Sequence, residues 1–237
     1  MRLLLLGEPA ASARYLTGTF ARAGIDYRHV EAREALATLD DTWDVVVLSD
    51  YPAKQLGEAA ADAIVQHVRA GAGLVMIGGW TSFNGQGTGY RGTVIADLLP
   101  VVCAVGDDRR NVHSGLWLEA LQPTHPVLAG LDLAAPPVLC GYNAVMLAPG
   151  ATLLAQGRLV QFQDGVPQPG AAAPLLAVQQ VGAGRSLAYT SDLVPHWCGG
   201  TVDWGAERVS LPGGAEVGAD YCTFLVNMLR WVSGEIG

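Results

Sequence analysis

Apolar positions along this chain follow two alternating rhythms. Short unbroken runs, "RLLLLG" at residues 2–7, "DVVVLSD" at 44–50 and "GLVMIGG" at 73–79, have the length and β-branched character of parallel strands covered on both faces. Between them the spacing becomes helical. "SARYLTGTFARAG" sets Leu16 and Phe20 four residues apart, with Ser12 as a candidate cap and Gly24 as a stop. "LGEAAADAIVQHVRAGAG" places Leu56, Ala60, Ile64 and Val68 on one face and ends at Gly71. A weaker strand, "DYRHVEA", and a helix around "REALATL" complete the order strand, helix, strand, helix, strand, helix, strand. That order implies right-handed crossovers and an α/β fold with a doubly wound, mostly parallel sheet.

Past residue 93 the rhythm changes. "TVIADLLP" reads as a short helix closed by Pro100, "VVCAV" as a strand, and residues 106–137 as a long loop-rich section of the kind that carries function. From "VLCGYNAVML" through "ATLLAQG", "LVQFQ" and "PLLAVQQVGAGRSLAYTSD" the pattern is strands with tight turns, "VGAGR" serving as a hairpin connection. These strands are expected to extend the sheet with antiparallel members. The tail "GADYCTFLVNMLRWV" repeats apolar residues at helical spacing and predicts a closing amphipathic helix. No repeat, linker or shift in composition divides the chain, so residues 1–237 are read as a single domain.

Composition narrows the partners. Half of the 237 residues are hydrophobic, enough for a substantial core, and the formal net charge is -8. Binding to a phosphate backbone needs clustered cations, so nucleic acid is not an expected partner. The opening "MRLLLLGEPA" is too short and too soon interrupted by Gly7, Glu8 and Pro9 for a spanning helix or a leader; the expectation is a cytoplasmic protein with no membrane partner. Cys103, Cys140, Cys198 and Cys222 form no paired-thiol motif, as reduced thiols would be distributed, and their spacing fixes no disulfide. No H-x-H, H-x-x-x-H or Cys-x-x-Cys spacing is present, so no metal is expected, no cofactor is implied, and "DDRR" reads as a solvated loop. A homodimer is compatible with an acidic protein of this class, though no residue pattern specifies one.

In an open α/β sheet, ligands bind beyond the carboxyl ends of the parallel strands. Three such ends, "LSDY", "IGGW" and "YTSDLVPHW", supply Asp50, Tyr51, Gly78, Gly79, Trp80, Ser191, Asp192, His196 and Trp197 as candidates for holding a small polar molecule. Asp50 and Asp192 are also candidate helix caps. His196 follows Asp192 by four residues, a spacing at which a carboxylate can orient an imidazole; Asp192 and His196, with Ser82 or a water as nucleophile, are the candidate catalytic group. The loop "GGWTSFNGQGTGYRG" has six glycines in fifteen residues, so its amides could cradle an anion; equally, Trp80, Phe83 and Tyr90 could stiffen it as a lid. It matches neither a P-loop nor a dinucleotide fingerprint.

Several segments, "LVMIGGWTSFNGQG", "GTVIADLLPVVC", "DDRR", "HPVLAGL", "GYNAV" and "PLLAVQQVGAGRSLAYTSDLVPHW", resemble the glutamine amidotransferase-like family, which has the class I glutamine amidotransferase fold and is related to the trehalose-utilisation-type proteins. The resemblance implies a flavodoxin-like sheet. Glutaminases of class I place a cysteine on a Gly-x-Cys-x-Gly elbow, with a His and a Glu after a late strand, and hold the oxyanion with backbone amides. Here the comparable elbow is "IGGWTS", with Trp80 where a nucleophile would stand, and no His-x-Glu follows "TSDLVPHW". Three readings follow: a pocket protein without glutaminase activity that binds its ligand between Asp50, Trp80, Ser82, Asp192 and His196, with Phe83 among the lining residues; a hydrolase of altered mechanism acting on a C–N bond; and a scaffold whose pocket is filled by Trp80, Phe83 and Trp197.

Overall fold

The computed structural model describes residues 1–87 and 89–237. Along the chain run β1 (Arg2–Gly7), α1 (Ala10–Arg22), β2 (Asp26–Glu31), β3 (Val45–Ser49), α2 (Glu58–Ala70), β4 (Gly73–Ile77), β5 (Val101–Cys103), β6 (Arg109–Ala120), β7 (Val138–Asn143), β8 (Val145–Leu147), β9 (Thr152–Gln163), β10 (Val166–Val181), β11 (Gly184–Tyr189), β12 (Arg208–Ser210), β13 (Glu216–Gly218) and α3 (Ala219–Val232). Nine strands form one sheet in the order β2-β1-β3-β4-β11-β10-β9-β6-β7. The first five are parallel, and the remaining four pair antiparallel. The doubly wound sheet with antiparallel extensions is therefore as expected.

The continuous apolar runs are explained by two cores back to back. Leu3, Leu5, Val45, Val47, Val75 and Ile77 face α1 and α3, meeting Leu16, Phe20, Phe224 and Met228. Their chain neighbours Leu4, Leu6, Val46, Leu48, Leu74 and Met76 face α2, meeting Ala60, Ile64 and Val68. Side chains alternate across a strand, so a strand buried on both faces must be apolar at every position.

Three expectations are corrected. No helix forms around "REALATL"; Leu36 makes a parallel bridge to Leu56, and its N–H donates to the Tyr51 hydroxyl at 3.0 Å. That hydroxyl in turn donates to the Glu34 carbonyl at 2.7 Å, so a tertiary anchor takes backbone groups that a helix would need. Residues 106–137 are not mainly loop, because β6 runs through them for 12 residues. Its first half is largely solvated, which masks the strand pattern. "ATLLAQG" and "LVQFQ" are one strand, β9, paired with β10 in a long hairpin.

Candidate functional site

The strand order 2-1-3-4 reverses direction between β1 and β3, and ligands of open α/β sheets bind at such a switch point. Glu8 follows β1 and Asp50 follows β3, so both carboxyls stand there. Asp192 arrives three residues after β11. All three are at the carboxyl edge of the parallel strands; Glu8, 5% exposed, and Asp192, 0% exposed, are buried, and Asp50 is partly buried.

Burial sets their protonation. Desolvation, with help from the Asp50 charge, pushes the Glu8 carboxyl up to about 8. Asp192 is held well above its ordinary range by burial and by the charges of Glu8 and Asp50. Asp50 is raised by burial, against the pull of the Thr81, Trp80 and Ser82 amides and the His196 charge. Glu8 Oε1 and Asp192 Oδ2 have no hydrogen-bond partner among the described residues, and the nearby buried hydroxyls of Ser49, Tyr189 and Thr201 are similarly unmatched. Buried polar atoms normally find partners, so this concentration of unmatched ones sets the switch point apart from the rest of the core. The sequence reading missed Glu8, seen there only as a residue that breaks an apolar start. Its position directly after the first strand was the available signal.

The elbow after β4 has a different character. The Asp50 backbone adopts φ 55°, a left-handed conformation that Asp tolerates better than most residues, and its N–H donates to Ser82 Oγ at 3.0 Å. The carboxylate reaches across to the elbow, where Oδ1 accepts the Thr81 N–H at 2.7 Å. Gly79 has no room for a side chain, since a Cβ would stand 2.3 Å from Asp50 Oδ1. The Gly79 N–H donates to Asn143 Oδ1 at 2.9 Å, and Asn143 Nδ2 donates to the Gly79 carbonyl and to Asp108 Oδ1. Farther along, Asp108 Oδ2 accepts the Asn84 N–H at 2.7 Å, and Asp107 Oδ1 accepts the Gln86 N–H at 3.2 Å. These carboxylates take up amides that an anion would need, so the described part of the glycine loop is latched and does not form an anion cradle. Thr88, within that loop, lies outside the described residues. "DDRR" is correspondingly half solvated and half structural: Asp107 chelates Arg109 at the surface, whereas Asp108 is fully buried.

Trp80 stands at the elbow's apex, 40% exposed. The Arg109 guanidinium carbon lies 4.5 Å from its ring centre, a cation–π distance, and the His196 ring is 5.7 Å away and tilted by 32°. Asp50, Trp80, Asp192 and His196 are thus gathered at one edge. The expected pairing of Asp192 with His196 is not made. Asp192 Oδ1 accepts the Val194 N–H at 3.0 Å, closing a local turn, while His196 is exposed and turned toward Trp80. Asp192 thus closes a turn and caps no helix, since none follows it directly.

The other candidates are structural. Ser82 Oγ is buried and occupied by the Asp50 N–H. Tyr51 and Phe83 are core residues, 0% exposed. Ser191 Oγ donates to the Gly141 carbonyl at 2.8 Å, and Gly78 donates its N–H to the Tyr189 carbonyl at 2.7 Å. Trp197 lies flat on Gly141, where a Cβ would meet its indole at 2.5 Å, and its Nε1 donates to Asn111 Oδ1. Cavities of 470 Å³ beside Arg91 and Gln179 and of 570 Å³ beside Trp117 and Pro136 are lined by none of the candidate residues. The candidate site is therefore a rim of Trp80, Arg109 and His196 beside the partly buried Asp50 and the buried Glu8 and Asp192. Among the described residues, no group of three or more His, Cys, Asp or Glu side chains is arranged to hold a metal ion, and no helix is long and apolar enough to cross a membrane.

The model of a family described as "Putative glutamine amidotransferase" matches residues 12–211. No curated protein sequence matches the chain. Among solved structures, the cytoplasmic protein STM3548 of Salmonella typhimurium is 24% identical, with 98% of this chain and 99% of that one covered at a TM-score of 0.78. The cytoplasmic protein STM1381 of Salmonella typhimurium LT2 is 23% identical over 98% and 99%, at 0.75. A "Putative thua-like protein" from Bacteroides uniformis is 14% identical over 98% and 91%, at 0.55. At these identities the likeness establishes the fold alone.

Proposed function

The chain belongs to the glutamine amidotransferase-like family, and from that premise we propose that it binds a small polar molecule over the strand carboxyl ends and has no glutaminase activity. The observation that carries this reading is the Asp50 carboxylate on the elbow amides. Acyl transfer from glutamine needs a nucleophile at the elbow and free N–H groups to hold an oxyanion. Here the apex residue is Trp80, and an internal carboxyl already takes the Thr81 N–H. What the edge offers instead is an indole flanked by a guanidinium and an imidazole, beside carboxyls with unmatched oxygens. Because burial favours the protonated form of Glu8 and Asp192, little negative charge lies beneath this rim, which suits an uncharged ligand bearing hydroxyl or amide groups. We assign the protein to the cytoplasm, the location in the names of both Salmonella relatives, and a homodimer remains the assembly to test by light scattering.

A second reading, a hydrolase of altered mechanism, has one observation in its favour: a carboxyl displaced to about 8, as in Glu8, is matched to proton transfer near neutral pH. It would assign the acid role to Glu8, with His196 and Asp192 as partners and water in place of Ser82.

The test is ammonia release from glutamine by wild type, His196→Ala and Cys198→Ala, together with a thermal-shift screen of small polar compounds on wild type and Trp80→Ala. We expect no release from any of the three and at least one compound that raises the Tm of wild type but not of Trp80→Ala. Release that is lost in Cys198→Ala would overturn the reading.

A further inference from the structure

Cys140 and Cys198 are far apart in sequence and meet beside the candidate site. Cys140 is exposed on β7, and its N–H donates to the Trp197 carbonyl at 2.8 Å. Its sulfur lies 3.1 Å from the position a Cβ would take on Gly199. The contacts of Cys140 therefore fall on the residues immediately before and after Cys198. Bond lengths across the Trp197 hydrogen bond bring the two Cα atoms to within about 7 Å, and disulfides span about 4.4–6.8 Å. Cys198 is buried, but the glycines that follow it, Gly199 at φ 47° and Gly200, form a turn in which a small backbone adjustment is inexpensive.

We propose that Cys140 and Cys198 form a site of oxidative modification, closed into an intramolecular disulfide by a small-molecule disulfide of the glutathione type. Cys140 releases its proton to solvent, and the thiolate attacks one sulfur of the small disulfide. The S–S bond of that molecule breaks, and one small thiolate leaves and takes up a proton. Cys198 then gives its proton to solvent and attacks the Cys140 sulfur, expelling the second small thiol. Two protein thiols lose two electrons, and one disulfide is reduced to two thiols. Exposure makes Cys140 the attacking thiol; burial, which pushes the Cys198 thiol up to about 12, keeps Cys198 from reacting with the small disulfide directly, so it reacts only with the Cys140 sulfur held beside it. The loop that becomes tied to β7 carries His196 and Trp197, so the modification fixes one wall of the rim. Cys103, also buried, and Cys222, whose sulfur lies 3.9 Å from Thr19 Oγ1, provide internal controls.

The experiment incubates the folded, full-length protein with oxidised glutathione and reads intact mass and a peptide map without reductant. Wild type is expected to lose two hydrogens, to show the peptides of Cys140 and Cys198 joined, and to revert on addition of dithiothreitol. Cys198→Ser is expected to accumulate a glutathione adduct on Cys140, and Cys140→Ser to leave Cys198 unmodified. Circular dichroism establishes that both variants fold, and the wild-type result decides the matter without them. A wild type that retains a stable adduct on Cys140 with Cys198 free, joins other cysteines, or does not react overturns the proposal.

Discussion

Two regions that adjoin at Asp50 treat buried polarity in opposite ways. At the elbow, Asp50, Asp108 and Asn143 answer the backbone groups of Gly79, Thr81 and Asn84, with bonds of 2.7–3.1 Å. At the switch point, Glu8 Oε1 and Asp192 Oδ2 are buried and unanswered. A matched network contributes rigidity, whereas an unmatched one costs stability and persists where something other than stability is served. The difference separates the latch from the site. The feature most suggestive in the sequence, the glycine loop, is the latch.

The largest expected effect is on the latch. Asn143→Ala leaves Gly79 N–H, Gly79 C=O and Asp108 without a shared partner and should destabilise by about 3–5 kcal/mol in urea unfolding. A loss below about 1 kcal/mol would mean the elbow holds without it. Glu8→Gln probes the other region, and the sign follows from the raised pKa. Below 4.5, Glu8 is protonated whether the chain is folded or unfolded; as pH rises toward about 8 the unfolded chain ionises while the folded one keeps its proton, so wild-type stability falls. The variant should match wild type at pH 4 and exceed it at pH 9 by a few kcal/mol. Parallel pH profiles for the two proteins would show that Glu8 is not displaced and would remove the contrast between the regions. Trp80→Ala should cost about 1 kcal/mol or less, since the ring is partly exposed, yet abolish ligand-induced thermal stabilisation. Asp107→Ala, which frees Arg109 at the surface, should change stability by only about 0.5 kcal/mol.

Much of the fold was legible because its signals are local. An apolar run of four residues between glycines, or Ile64 and Val68 four apart, carries its own periodicity. The helix around "REALATL" failed because the Tyr51 hydroxyl, which sits on another segment, engages Leu36 and Glu34. β6 was hidden because its outer half is solvated and loses the alternation that burial imposes. At the site, the strand-end logic found Asp50, Trp80, Asp192 and His196, but spacing paired His196 with Asp192, whereas the folded loop turns it to Trp80.

The sequence by itself determined the parallel half of the sheet, the closing helix and the absence of a cysteine at the elbow, since each is written in consecutive residues. Only the tertiary structure decided which polar groups are answered. Glu8, Asp50 and Asp192 become a coupled trio because the strand order sets β1 beside β3 and brings β11 in next to β4, and desolvation then acts on carboxyls that no local pattern distinguishes from surface ones. Cys140 and Cys198 become neighbours for the same reason: contact in space follows from topology, and periodicity along the chain holds no record of it.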